Sequence, residues 1–207
     1  MKNKSLILLI ILFITACARR EKWEVYEDSV YPISMGYLLG PNEMSVEPFE
    51  TGPKEGFMPG TKFPYPPTDS PAGYRIDVKA HLPEFDPPEA EVPIGLYEIV
   101  IYKYEKDFRD AFKFAYREPV QKEKTLNKIP VILISDPHYN YEEYILLVPG
   151  IYATVYLDGL GKSERITRNA LKHFRWTQPI DASSPEFQSW KKHILEILKA
   201  PDQSPKN

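Results

Sequence analysis

The chain has 207 residues and a formal charge of −3, with 43% hydrophobic and 13% aromatic residues. These figures provide for a packed core, in one domain with extensions or in two small ones, and they exclude a global nucleic-acid footprint, which needs a basic excess. The single cysteine, Cys17, excludes an internal disulfide, and a domain of this size holds together on packing alone.

Lys2 and Lys4 make a basic start, residues 6–14 are an unbroken apolar run, and Ile14-Thr15-Ala16-Cys17 closes the segment with a small residue directly before the cysteine. That order predicts a secretory signal, residues 1–16. The apolar run falls short of the ~20 residues that cross a bilayer. With a cysteine at the cleavage point, the segment resembles the lipobox of bacterial lipoproteins. The resemblance implies cleavage between Ala16 and Cys17, several acyl chains on Cys17, and the membrane as the first partner. Each buried methylene contributes ~0.8 kcal/mol, so two or three chains hold a protein firmly. In Gram-negative members an aspartate after the cysteine marks retention at the inner membrane. Ala18 stands there instead, which implies the outer membrane, facing the periplasm. Losing Lys2 and Lys4 moves the formal charge from −3 to −5, and acylation leaves no thiol for catalysis.

Residues 17–73 read as a proline-rich, lipid-anchored tether that is partly packed. Pro32, Pro41, Pro48, Pro53, Pro59, Pro64, Pro66, Pro67 and Pro71 interrupt it. Each removes a backbone donor and disfavours helix before it, so no long regular element is expected. Trp23, Tyr26, Tyr31, Tyr37, Phe49, Phe57, Phe63 and Tyr65 argue against a fully disordered linker.

The body is expected over residues 74–178. Residues 74–80 alternate, with Tyr74, Ile76, Val78 and Ala80 on one face, which predicts a half-buried strand. Residues 81–93 form a proline-broken loop, and residues 96–104 a second strand rich in β-branched and aromatic side chains. Phe108, Ala111, Phe112 and Ala115 share one side of a helix over 106–117, which Pro119 ends. The near-continuous apolar run 129–135 predicts a central strand. Strands 143–148 and 151–157 flank Pro149-Gly150, a pair that fits the inner positions of a type II turn. Residues 158–162 form a turn, and Ser163 caps a helix reaching Trp176. A last helix starts with Ser184 as cap and Pro185 at its first position. Phe187, Trp190, Ile194, Leu195 and Leu198 form its apolar stripe, so residues 179–207 are an amphipathic helix and a polar tail. The class is α+β: an antiparallel sheet of about five strands covered by two or three helices, after a proline-rich irregular segment.

In layout this body resembles the PsbP/Mog1-type α+β sandwich. The parallels are the helix after Tyr104, Lys128-Ile129-Pro130-Val131 leading into a strand, the hairpin that follows, and the closing Ala170-Leu171-Lys172-His173-Phe174. The resemblance implies a non-catalytic binding or assembly factor, some members being lipoproteins.

Motifs for chemistry are thin. Gly161-Lys162-Ser163 lacks the glycine five places earlier that a phosphate loop requires; Tyr156 stands there. Asp136, His138, Glu142 and Glu143 share one turn but have no second histidine nearby, so a solvated loop is the expectation and no metal is assigned. His81, His173 and His193 are isolated in sequence. No serine sits in a Gly-x-Ser-x-Gly elbow. The most informative surface feature is the Ser163 helix: Arg165, Arg168, Lys172 and Arg175 recur at 3-4-3 spacing, a cationic flank suited to an anionic lipid or an acidic envelope protein. The expected function is a non-catalytic partner-binding or assembly lipoprotein without a cofactor. The alternatives are a periplasmic small-ligand binder with an aromatic pocket and, third, an envelope hydrolase.

Overall fold

The computed structural model describes residues 22–39, 43–51, 72–80, 94–113, 120–136, 141–157 and 163–199. Cys17, Ala16, His81, His138, Gly161, Lys162, the expected loop 81–93 and the tail from Pro201 lie outside them. The elements are β1 (Lys22–Glu27), β2 (Ile33–Leu39), β3 (Met44–Thr51), β4 (Gly73–Ala80), β5 (Ile94–Tyr102), α1 (Glu105–Lys113), β6 (Val120–Leu126), β7 (Ile129–Asp136), β8 (Tyr141–Val148), β9 (Ile151–Leu157), α2 (Glu164–Leu171), β10 (Arg175–Trp176) and α3 (Pro185–Lys199). They make an antiparallel α+β protein. Seven strands run in the order β3-β4-β5-β9-β8-β7-β6, and a second sheet has the order β1-β2-β10.

Several elements follow directly from side-chain pattern. Tyr74, Ile76, Val78 and Ala80 of β4 are buried, and their neighbours are not. In β7, Val131 to Ile134 are all buried, as both faces of the sheet are covered there. Val148 pairs with Ile151, so Pro149-Gly150 is the whole loop of a hairpin. Gly150 has φ +78°, the conformation the second inner position of such a turn needs. Ser184 Oγ accepts the Phe187 N–H at 3.1 Å and caps α3, as read from the sequence.

Three corrections have physical causes. The lead-in, expected to be irregular, carries three strands, and the total passes the expected five. The two prolines among the described residues of this stretch sit where a missing donor costs little: Pro48 lies in β3, an edge strand, and Pro32 directly precedes β2 and uses its carbonyl to accept the Thr177 N–H at 2.8 Å. β6 was missed because Lys122, Glu123 and Lys124 show no apolar face; they are exposed on an edge, where charge deters further pairing. The Ser163 helix stops at Leu171, and Arg175-Trp176 pair with Ser34 and Ile33 as a strand. Burial of Phe174 and Trp176 draws the chain off the helix.

The large sheet has a core on each side. On one side Ile76, Val78, Ile99, Leu146 and Val155 meet Ile33 and Met35 of the small sheet and Ala170, Leu171 and Phe174 at α2. On the other, Ile132, Ile134, Ile145 and Leu147 meet Phe108 of α1 and Phe187, Ile194 and Ile197 of α3. Among the described residues no helix is long and apolar enough to cross a membrane.

Candidate functional site

The β6–β7 connection is two residues long, because Leu126 pairs with Ile129. Both residues have positive φ, Asn127 at 49° and Lys128 at 75°, as a tight hairpin turn demands. Asparagine tolerates this conformation; lysine adopts it at a cost. The turn faces the chain leaving α2, and Asn127 Nδ2 donates to the carbonyls of Leu171 at 2.7 Å and Phe174 at 2.9 Å. One side chain thus takes up two helix-end acceptors and fixes where residues 175–180 begin.

Between the turn and that segment lies an open cleft of about 580 Å³. Buried Ile129 and Trp176 form its floor, Pro179 and Ile180 extend the apolar surface, and exposed Lys128 and Arg175 stand at the rim. Arg175 Nη1 donates to the carbonyls of Lys172 and Phe174, so the guanidinium is held beside the strand. An apolar floor under two cations binds a surface that is partly apolar and partly anionic.

The four cations expected on one flank do not act together. Arg165 is exposed. Arg168 is bound by Glu142 through two hydrogen bonds, Nη2 to Oε1 at 2.9 Å and Nη1 to Oε2 at 3.1 Å, and by Glu164 at 2.7 Å. The hydrogen bonds to Glu142 and Glu164 raise its affinity for the proton, and Arg168 in turn holds the Glu142 carboxyl below the usual range. Lys172 Nζ donates to Asn169 Oδ1 at 3.0 Å. Only Arg175 of the four lines the cleft.

The acidic turn also separates. Glu142 faces Arg168, whereas Glu143 next to it points to the opposite face of β8 and is buried at 6% exposure. Burial pushes its carboxyl up to about 7, with Thr154 beside it acting in the other direction. Among the described residues no group of three or more His, Cys, Asp or Glu is placed to hold a metal.

A cluster that the sequence did not reveal joins α1, β9 and α3. Tyr152 Oη donates to Glu105 Oε2 at 3.0 Å, and His193 Nε2 lies 3.1 Å from that hydroxyl and 3.2 Å from the same carboxylate oxygen. Arg109 takes the other Glu105 oxygen at 2.6 Å and holds its carboxyl below the usual range. Burial, aided by Glu105, pushes the Tyr152 phenol up to about 12. Trp190 leans on Tyr152 with ring centres 4.9 Å apart. Tyr152 is more than 40 positions from both Glu105 and His193 in sequence, so no local pattern announces the trio. The cluster lines neither the cleft nor the small pocket over Arg75 and Glu98; what it does is tie two helices to one strand. His173 also has a packing role: it stacks on Trp23 with ring centres 4.0 Å apart, above Gly36, where an added Cβ would sit 2.8 Å from the histidine Cβ. Burial and the nearby Arg175 and Lys172 lower its basicity.

Against family models, curated proteins and solved structures, the chain has no match. Its function is therefore argued from its own residues.

Proposed function

We propose that this chain is a membrane-anchored lipoprotein of the bacterial envelope, held by acyl chains on Cys17, whose body is a non-catalytic module for partner binding or assembly. The observation that carries the binding half is the Lys128/Arg175 cleft: it is open, apolar at its floor and cationic at its rim. An open surface of that kind suits an acidic partner protein better than a buried reaction. The anchoring half is carried by the lipobox resemblance around Cys17, with Ala18 favouring the outer membrane. One observation favours a second reading: about 580 Å³ with a tryptophan floor is within the usual size of small-ligand sites.

Two measurements test the proposal. Mass spectrometry of the native protein is expected to find an acylated Cys17 as the first residue, and Cys17→Ser is expected to release the protein from membranes. Retained Met1 or an unmodified Cys17 would refute the anchor. Lys128→Glu with Arg175→Glu is expected to abolish co-purification of the partner from a protein that circular dichroism shows to be folded. If that pair of changes leaves co-purification intact while Trp176→Ala removes binding of a small apolar molecule, the ligand reading replaces it.

A further inference from the structure

The small sheet has two unlike faces. Ile33 and Met35 of β2 point inward to the core, so Ser34 and Gly36 point outward. Register sets Val25 opposite Gly36 and Arg175 opposite Ser34, which places both on the outer face. A Cβ on Gly36 would meet Trp23 and His173 together, so the Trp23–His173 stack lies there too. Val25 is 67% exposed, and Val30, between β1 and β2, is 62% exposed. Among the described residues the other exposed large apolar side chains are only Phe49 and Tyr104, so half of this exposed set is gathered at β1.

β1 is also the described strand nearest to Cys17 along the chain. A chain covers at most ~3.6 Å per residue, so Lys22 lies within about 18 Å of Cys17. Behind the small sheet come the seven-stranded sheet and then the α1 and α3 layer. With sheets ~10 Å apart and helices ~10–12 Å thick, that stack is about 25 Å deep. The tether is too short for the helix layer to lie between β1 and the bilayer. We infer, resting on the anchor proposed at Cys17, that the small sheet docks on the lipid headgroup layer through its outer face and β1 edge, with Trp23, Val25 and Val30 in contact with lipid.

The chemistry of the face agrees with this occupant. Tryptophan settles at membrane interfaces, and an exposed valine gains by leaving water. Of the two β1 glutamates, Glu24 is on the inner face, bound by Lys22 and Tyr37. Glu27 shares a cross-strand row with Arg175 through Ser34. Exposed Lys172 adjoins the stacked His173, and Arg19 and Arg20 stand in the tether against Glu21. The balance is positive, which suits anionic headgroups.

Site-directed fluorescence quenching tests the docking. The native acylated protein carrying Val25→Cys or Lys192→Cys is labelled with a thiol-directed fluorophore and placed in vesicles of phosphatidylcholine and phosphatidylglycerol, with and without a lipid quencher at headgroup depth. Lys192, on α3 in the opposite layer, has a side chain 79% exposed. The probe at 25 is expected to be quenched several-fold more than the probe at 192. Adding Val30→Asp and Lys172→Glu, both at exposed positions, is expected to bring the probe at 25 close to the level at 192. Equal quenching at the two positions, or a probe at 25 that ignores the two added changes, would overturn the docking while leaving the anchor standing. The wild type separates the two claims: an acylated Cys17 takes no label, and a labelled wild type would overturn the anchor and the docking with it.

Discussion

The two faces of the seven-stranded sheet are built to different rules. The face under β1-β2-β10 and α2 is apolar from β4 to β7, with Ile76, Ile99, Leu146 and Val155 fully buried. The face under α1 and α3 is aliphatic over β7 and β8 and continues through Tyr152 of β9 to Val100 and Tyr102 of β5; toward β4 it carries ionic pairs, Arg75 with Asp77 at 2.8 Å and with Glu98, and Lys79 with Glu47 at 2.6 Å. Between these zones lie Tyr102, Glu143 and Thr154, a hydroxyl-and-carboxyl seam inside the protein. The first face is held mainly by apolar packing, with charge confined to its margin at the Glu142–Arg168 bridge and at Asp28, whereas the second carries a buried carboxyl within the sheet itself.

Perturbing each face makes the difference measurable. Phe174 is fully buried where α2 meets the small sheet. Phe174→Ala is expected to cost about 3–5 kcal/mol in urea unfolding, independent of pH. On the other face the effect depends on pH. Glu143 has its folded value raised from 4.5 to about 7, so the native state holds the proton more tightly than the unfolded chain. The contribution is complete below pH 4.5 and is lost as pH rises to 7, about 3 kcal/mol in all. Unfolding free energy measured across that window should therefore fall for the wild type relative to Glu143→Gln. Parallel curves would remove the distinction between the faces.

Smaller changes sharpen the account at the cleft. Lys128 pays for its positive φ, and Lys128→Gly should raise stability by up to ~1 kcal/mol while weakening partner binding. A gain in stability with unchanged binding would show that this lysine does not serve the cleft. Arg168→Met should cost only about 0.5–1 kcal/mol, since Arg168 is 39% and Glu164 49% exposed and solvent screens them, although Glu142 at 22% is less so. It should leave binding untouched, because Arg168 does not line the cleft.

What the sequence revealed and what it hid follow from the range of the interactions. β4, the Pro149-Gly150 hairpin and α3 were legible because periodicity, turn chemistry and a capping serine are local signals. β1, β2 and β3 were not, because proline density masked strands whose partners lie elsewhere in the chain. β6 pairs only along its β7 side and has no apolar face to betray it. The cleft depends on Asn127 reaching Leu171 and Phe174, more than 40 residues away. Of its residues only Arg175 was singled out for binding, and for a helical flank that ends before reaching it; Lys128 and Ile129 were read only as the entry to a strand. The Glu105, Tyr152 and His193 cluster is likewise a product of packing three distant elements.

The most direct test of the binding site places a photoreactive side chain at Gln178, on the cleft wall, and another at Glu123 on the β6 edge, in cells where the protein occupies its membrane. Irradiation is expected to give one discrete adduct from Gln178, lost when Lys128 and Arg175 are both changed to glutamate, and none from Glu123. An adduct that survives the charge reversal, or equal labelling at both positions, would contradict the assignment of the cleft as the binding surface.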